Sequence, residues 1–172
     1  MTGLPLEAIF RLAWPDLSDE DAAACRNEYR GIYEETVIPA TRLFAGARET
    51  LRAVHAAGLL QATVTGKRAV DCERILRGLE IEDDIELYLG GDSVAPHRHK
   101  PAPDLVVLAM DRLGVPPGRT AVVGDTRTDM RMGRAAGAHT IQVLWGYERA
   151  AVPEADETVA TWDALRARIL TP

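Results

Sequence analysis

From residue 48 onward, short uninterrupted apolar runs alternate with amphipathic stretches. The amphipathic stretches predict helices over residues 48–57, 69–79, 102–114 and 129–137, with Gly58, Gly114 and Gly137 as stops. The apolar runs predict strands: LLQATVT over 59–65, IELYLG over 85–90, TAVVG over 120–124, HTIQVLW over 139–145, and an edge strand near 158–160. A final helix over 161–170 takes Thr161 as its cap. Strands that are apolar throughout and joined by helices belong to a parallel sheet covered on both faces. The class is therefore α/β, a three-layer Rossmann-like arrangement.

Residues 4–38 follow a different pattern and read as helix. LPLEAIFRL is amphipathic, and LSDEDAAACRNEYRGIYEE opens with Ser18 as N-cap and acids in the first turn. Pro39 is expected to end the segment. The change of pattern near 39–44 divides the chain into a helical part, 1–41, and an α/β part, 42–172.

Composition narrows the partners. With 47% hydrophobic and 27% charged residues among 172, the chain is ordinary globular protein. A net charge of −6 argues against a nucleic-acid or anionic-membrane surface, yet a local cluster can still bind a small phosphorylated metabolite. No basic start followed by an apolar block is visible, and the longest apolar run, residues 105–110, is too short to cross a bilayer. Cytoplasmic location is the expectation. Cys25 and Cys72 stand alone in helical segments and are expected as free thiols. Only two of the 20 basic residues are lysines, Lys67 and Lys100, so each marks a place where a compact point charge is worth inspecting.

Ligands of such sheets bind outside the carboxyl ends of the strands. Three features fall there. In VTGK, Thr65 offers a hydroxyl and Gly66 and Lys67 offer backbone N–H groups to a phosphate; the plainer reading is a capping Thr with a turn glycine. In HKPAPD, Lys100 can neutralise a phosphoryl oxygen or a buried carboxylate, or simply be solvated; His97 and His99 beside it are not expected to form a metal site. In GDTRTD, Asp125 and Asp129 suit Mg²⁺, which takes oxygen ligands and keeps waters. Helix capping explains the same two acids without a metal.

Taken in order, VTGK, KPAPD and VVGDTRTD, with LFAGARETLRAVHAAGL, GGDSV, AAGAHTIQVLWG and the leading GLPLEAIF, resemble the haloacid dehalogenase-like superfamily and its phosphoglycolate phosphatase-like branch. The resemblance covers nearly the whole chain. It implies a Mg²⁺-dependent phosphomonoesterase in which an aspartate attacks the phosphoryl group and a second aspartate acts as acid and base. By motif, Thr65, Gly66 and Lys67 would bind the phosphoryl group, Lys100 would stabilise its charge, Asp125 would help hold Mg²⁺, and Asp129 would complete or orient that shell.

The family's nucleophile lies in an apolar strand ending D-x-D-G-T, and no such strand occurs here. The only D-x-D, Asp19-Glu20-Asp21, follows Ser18 at a helix start and reads as capping. Asp83, Asp84 and Asp92 are no better substitutes. We therefore expect a chain that begins inside the cap, lacks the sheet's first, central strand, holds Mg²⁺ weakly or not at all, and is inactive or nearly so. Its sheet should close up, associate with another copy, or be marginally stable. The alternative is a non-catalytic relative that binds phosphate or a protein.

Overall fold

Residues 62–64 and 87–89 form one parallel pair of strands, and residues 121–124, 139–143 and 157–159 form a separate parallel sheet in that order. The strands are β1 (Ala62–Val64), β2 (Leu87–Leu89), β3 (Ala121–Gly124), β4 (His139–Val143) and β5 (Glu157–Val159). The helices between them are α4 (Ala47–Ala56), α5 (Ala69–Gly78), α6 (Asp104–Leu113) and α7 (Arg127–Ala135), and α8 (Trp162–Leu170) follows β5. This computed structural model describes residues 6–95 and 98–171. His97 lies outside the described residues, as do Leu4 and Pro5 at the start of the first predicted helix.

The chain divides into two units, Met1–Arg42 and Leu43–Pro172. In the first, α1 (Leu6–Ala13) and α2 (Asp19–Ile32) lean on each other through Phe10 and Tyr29, with ring centroids 6.3 Å apart, and through an Arg26–Glu7 ion pair. Ser18 caps α2 by accepting the Asp21 N–H at 3.1 Å, which accounts for the D-x-D there as helix-start chemistry. Pro39 does not end the helical run as expected. A π-helical turn, Tyr33–Val37, precedes a short α3 (Ile38–Ala40) that contains it. Proline has no N–H and its ring crowds the carbonyl four residues back, and the wider turn relieves both problems.

In the second unit, strand alternation separates two helical layers. Leu87 and Leu89 of β2 and Val122 of β3 join Leu105, Val106, Ala109 and Met110 of α6 and Met132 of α7 in one cluster. On the opposite face, Tyr88 packs with Leu51 of α4 and Cys72 and Leu76 of α5, while Ile141, Val143 and Val159 pack with Leu165 of α8. Cys72 is buried and Cys25 half-buried, both as free thiols. The helices predicted to stop at Gly58, Gly114 and Gly137 do so, each glycine in left-handed backbone. No helix among the described residues is long and apolar enough to cross a membrane.

The sheet has not closed into one. β1 pairs only with β2 and β3 only with β4, so among the described residues each keeps an edge with no strand beside it. The strand predicted over 59–65 is consequently short: only Ala62–Val64 pair, and Leu60 is 52% exposed. Leu59 closes helix α4 instead, its N–H donating to Val54 O at 3.3 Å. Val123, mid-strand in β3, is 41% exposed and lines a cleft of about 240 Å³ with Phe44, Val143, Trp145, Trp162 and Leu165, which Asp125 also borders. The two pieces are held to one frame by α6 and α7, whose cluster touches both.

Candidate active site

The turn from β3 into α7 carries the acids. Thr126 is the N-cap of α7 and forms a capping box with Asp129: its hydroxyl donates to Asp129 Oδ2 at 2.6 Å, and its backbone N–H reaches the same oxygen at 3.1 Å. Lys100, entering from the loop after β2, donates to Asp129 Oδ1 at 2.8 Å. Gly124 makes room, because a Cβ there would lie 2.4 Å from Asp129 Cβ. Burial opposes ionisation of Asp129, but the Lys100 ammonium and the Thr126 hydrogen bonds outweigh it and hold the carboxyl below its ordinary value.

Asp125 is different. It is not the cap; one oxygen, Oδ2, accepts the Tyr147 N–H at 2.7 Å, and Oδ1 has no partner among the described residues. The capping explanation thus applies to Asp129, through Thr126, and leaves Asp125 with an open carboxylate oxygen.

At the end of β1, Thr65 Oγ1 accepts the Lys67 N–H at 3.2 Å, and Thr65 is tied to β2 through its own N–H to Leu89 O. Gly66 and Lys67 are exposed. The loop after β2 closes on this turn: Gly91 N–H donates to Lys67 O at 2.7 Å, and Asp92 Oδ1 accepts the Ala69 N–H at 2.8 Å at the start of α5. Two of the backbone N–H groups available for an anion are therefore already used, that of Lys67 by Thr65 and that of Ala69 by Asp92.

The structure thus brings Lys100 to Asp129 across 29 residues of chain and sets Asp125 four residues away on the same turn. No hydrogen bond or ion pair among the described residues joins Thr65 or Lys67 to Lys100, Asp125 or Asp129. No group of three His, Cys, Asp or Glu side chains able to hold a metal occurs among the described residues. One carboxylate with a free oxygen suits Mg²⁺, which combines one or two carboxylates with water and phosphate oxygens. Asp125 has that oxygen; both oxygens of Asp129 are engaged.

Sequence reasoning missed Thr126 and Tyr147, and weighed Asp92 only as a substitute nucleophile. Thr126 stands three residues before an acid, the spacing of a capping box, and was legible in principle. Asp92 and Tyr147 act on distant backbone and left no local signal.

Residues 1–143 match the family of haloacid dehalogenase-like hydrolases. The chain belongs to that family. It is 36% identical over 148 residues to the "Probable phosphatase IndB" of Dickeya dadantii, covering 84% of this chain and 63% of that one. It is 35% identical over 119 residues to a phosphoglycolate phosphatase of Nitrosospira multiformis, covering 69% of this chain and 52% of the relative. The chain spans between about half and just under two thirds of the length of the curated relatives it matches. Among solved structures, a haloacid dehalogenase-like family hydrolase from Streptococcus pneumoniae superposes with a TM-score of 0.77 at 22% identity, over 96% of this chain and 77% of that one. A family hydrolase from Deinococcus radiodurans R1, solved with bound phosphate and sodium, superposes with a TM-score of 0.74 at 24% identity, over all of this chain and 80% of that one. These two likenesses establish the α/β fold of the haloacid dehalogenase-like hydrolases.

Proposed function

We propose that the chain carries the phosphate-binding, lysine and auxiliary-carboxylate part of a Mg²⁺-dependent phosphomonoesterase site acting on a small phosphorylated metabolite. The observation that carries this reading is the turn where Lys100 neutralises the buried Asp129 while Asp125, on the same turn, keeps an oxygen open. Thr65 would donate its hydroxyl to a phosphoryl oxygen, Gly66 would offer its N–H, and Lys67 and Lys100 would supply positive charge. Asp129 orients Lys100 rather than meeting the substrate itself. Asp125 would hold Mg²⁺, which when bound neutralises charge on the phosphoryl oxygens.

No residue among the described ones takes the part of an attacking carboxylate in this reading, and the chain by itself turns over phosphate esters slowly or not at all. The test is hydrolysis of p-nitrophenyl phosphate by residues 1–172 with Mg²⁺. Robust turnover abolished by Asp125→Asn would sink the expectation of inactivity while supporting the site. Phosphate binding without turnover, measured by calorimetry and lost in Thr65→Val, supports the site and favours the non-catalytic alternative. The open edges of β1 and β3 support self-association as part of the same reading. A monomer at all concentrations in sedimentation equilibrium would remove that part.

A further inference from the structure

The polar network behind Asp125 extends into the core. Gln142, in β4, is fully buried, and all the hydrogen bonds of its side chain go to one loop. Its amide donates to Ala150 O at 2.9 Å and Glu148 O at 3.4 Å, and its oxygen accepts the Val152 N–H at 2.9 Å. A buried amide bonded at both ends is costly to displace, so this loop is anchored. The loop then returns to the β3–α7 turn at three points. Tyr147 N–H donates to Asp125 Oδ2 at 2.7 Å, Glu148 N–H donates to Asp125 O at 3.2 Å, and Glu148 Oε2 accepts the Arg127 N–H at 3.2 Å. Between anchor and contacts sits Gly146, where a Cβ would fall 2.3 Å from both Cβ and Oδ2 of Asp125.

We infer that residues 142–152 form a strap that holds the Asp125 carboxylate in one orientation, with Oδ2 occupied and Oδ1 presented to a divalent cation. Gln142 is its buried anchor, and Gly146, Tyr147 and Glu148 are its positioning residues. This rests on the reading of Asp125 as a metal-holding group. The chemistry of the two acids on the turn separates their roles. Asp129 meets a cation, Lys100, and its charge is neutralised. Among the described residues the Asp125 carboxylate meets only a backbone N–H, which fixes one oxygen and brings no counter-charge. A carboxylate already oriented loses less freedom when it binds a metal, and supporting contacts of this kind are typically worth about 10–100-fold in metal affinity.

The test uses residues 1–172 with two readouts: native-state hydrogen exchange of the Tyr147 amide without metal, and Mn²⁺ binding followed by electron paramagnetic resonance. Asp125→Ala should speed Tyr147 exchange about tenfold or more. Glu148→Ala and Gly146→Ala should do the same and weaken Mn²⁺ binding about tenfold, while Glu148→Gln, which keeps an acceptor for the Arg127 N–H, restores both. Gln142→Leu should act like Glu148→Ala; if it does not fold, the half-exposed Glu148 carries the test. Unchanged Tyr147 exchange in Asp125→Ala, or unchanged Mn²⁺ affinity in Glu148→Ala, overturns the strap. A wild-type chain that takes up no Mn²⁺ while Tyr147 exchange still answers to Asp125→Ala overturns the metal reading instead.

Discussion

β4 has a strand on each side, and four of its five residues, from Thr140 to Val143, are buried. Among the described residues β1 has a strand on one side only, and none of its three residues is buried. Both are comparably apolar in sequence. The contrast shows that burial in a parallel sheet comes from neighbours on both edges and helices on both faces, and residue choice only permits it. The polar groups differ in the same way. In β4, Thr140 and Gln142 are wholly buried and fully bonded, Thr140 to Asp156 and Gln142 to the strap. In and beside β1, Thr63 and Thr65 stay half-exposed, and Gly66 and Lys67 face solvent. One piece of the sheet is built for rigidity, and the other leaves its polar groups available.

The largest effect should come from Leu105→Ala, because Leu105 is 1% exposed in the cluster that joins the two pieces. A loss of about 3 kcal/mol in urea unfolding is expected, with hydrogen exchange in β1 and β2 accelerated more than in β4. Equal acceleration would erase the distinction between the pieces. Next, Lys100→Met leaves the buried Asp129 without its cation and should cost about 2 kcal/mol. The pH dependence follows from the same pair. The folded-state pKa of Asp129 lies below its unfolded value of roughly 3.9, so its contribution is complete above about pH 4 and is lost as pH falls through the folded value. Chemical denaturation between pH 6 and 3 should show that acid limb in the wild type and a shallower one in Lys100→Met. The smallest effect sharpens the comparison most. Thr140→Val should cost about 1 kcal/mol by removing its bonds with Asp156, whereas Thr65→Val should stay within roughly 0.5 kcal/mol and change only anion binding. A Thr65→Val penalty as large as that of Thr140→Val would mean that the exposed turn is structural.

Much of the fold was legible in the chain. The alternation of apolar runs and amphipathic helices marked the β/α order, and Ser18, Thr161 and three terminal glycines bounded their helices because caps and left-handed stops are local chemistry. The short β1 and the helical Pro39 were misjudged for one reason: each depends on what lies beside it. Among the described residues β1 has no neighbour on one edge, and a π turn accommodates Pro39. At the candidate site, the motifs named Thr65, Lys100, Asp125 and Asp129, and the resemblance gave each an expected role, but neither told which of the two acids is paired with the lysine. Only the bond from Lys100 to one acid and the amide of Tyr147 on the other distinguish a neutralised carboxylate from an open one.

The sequence by itself determined the α/β class and the residue types gathered at the strand ends, since these rest on periodicity, capping and spacing along one chain, and the resemblance of its motifs pointed to the family. Tertiary structure alone decided that the sheet stands in two pieces, that α6 and α7 bridge them, and that Asp125 rather than Asp129 presents an oxygen. Those outcomes depend on hydrogen bonds and contacts between residues far apart in the chain, such as Lys100 with Asp129 and Tyr147 with Asp125, which no local pattern encodes.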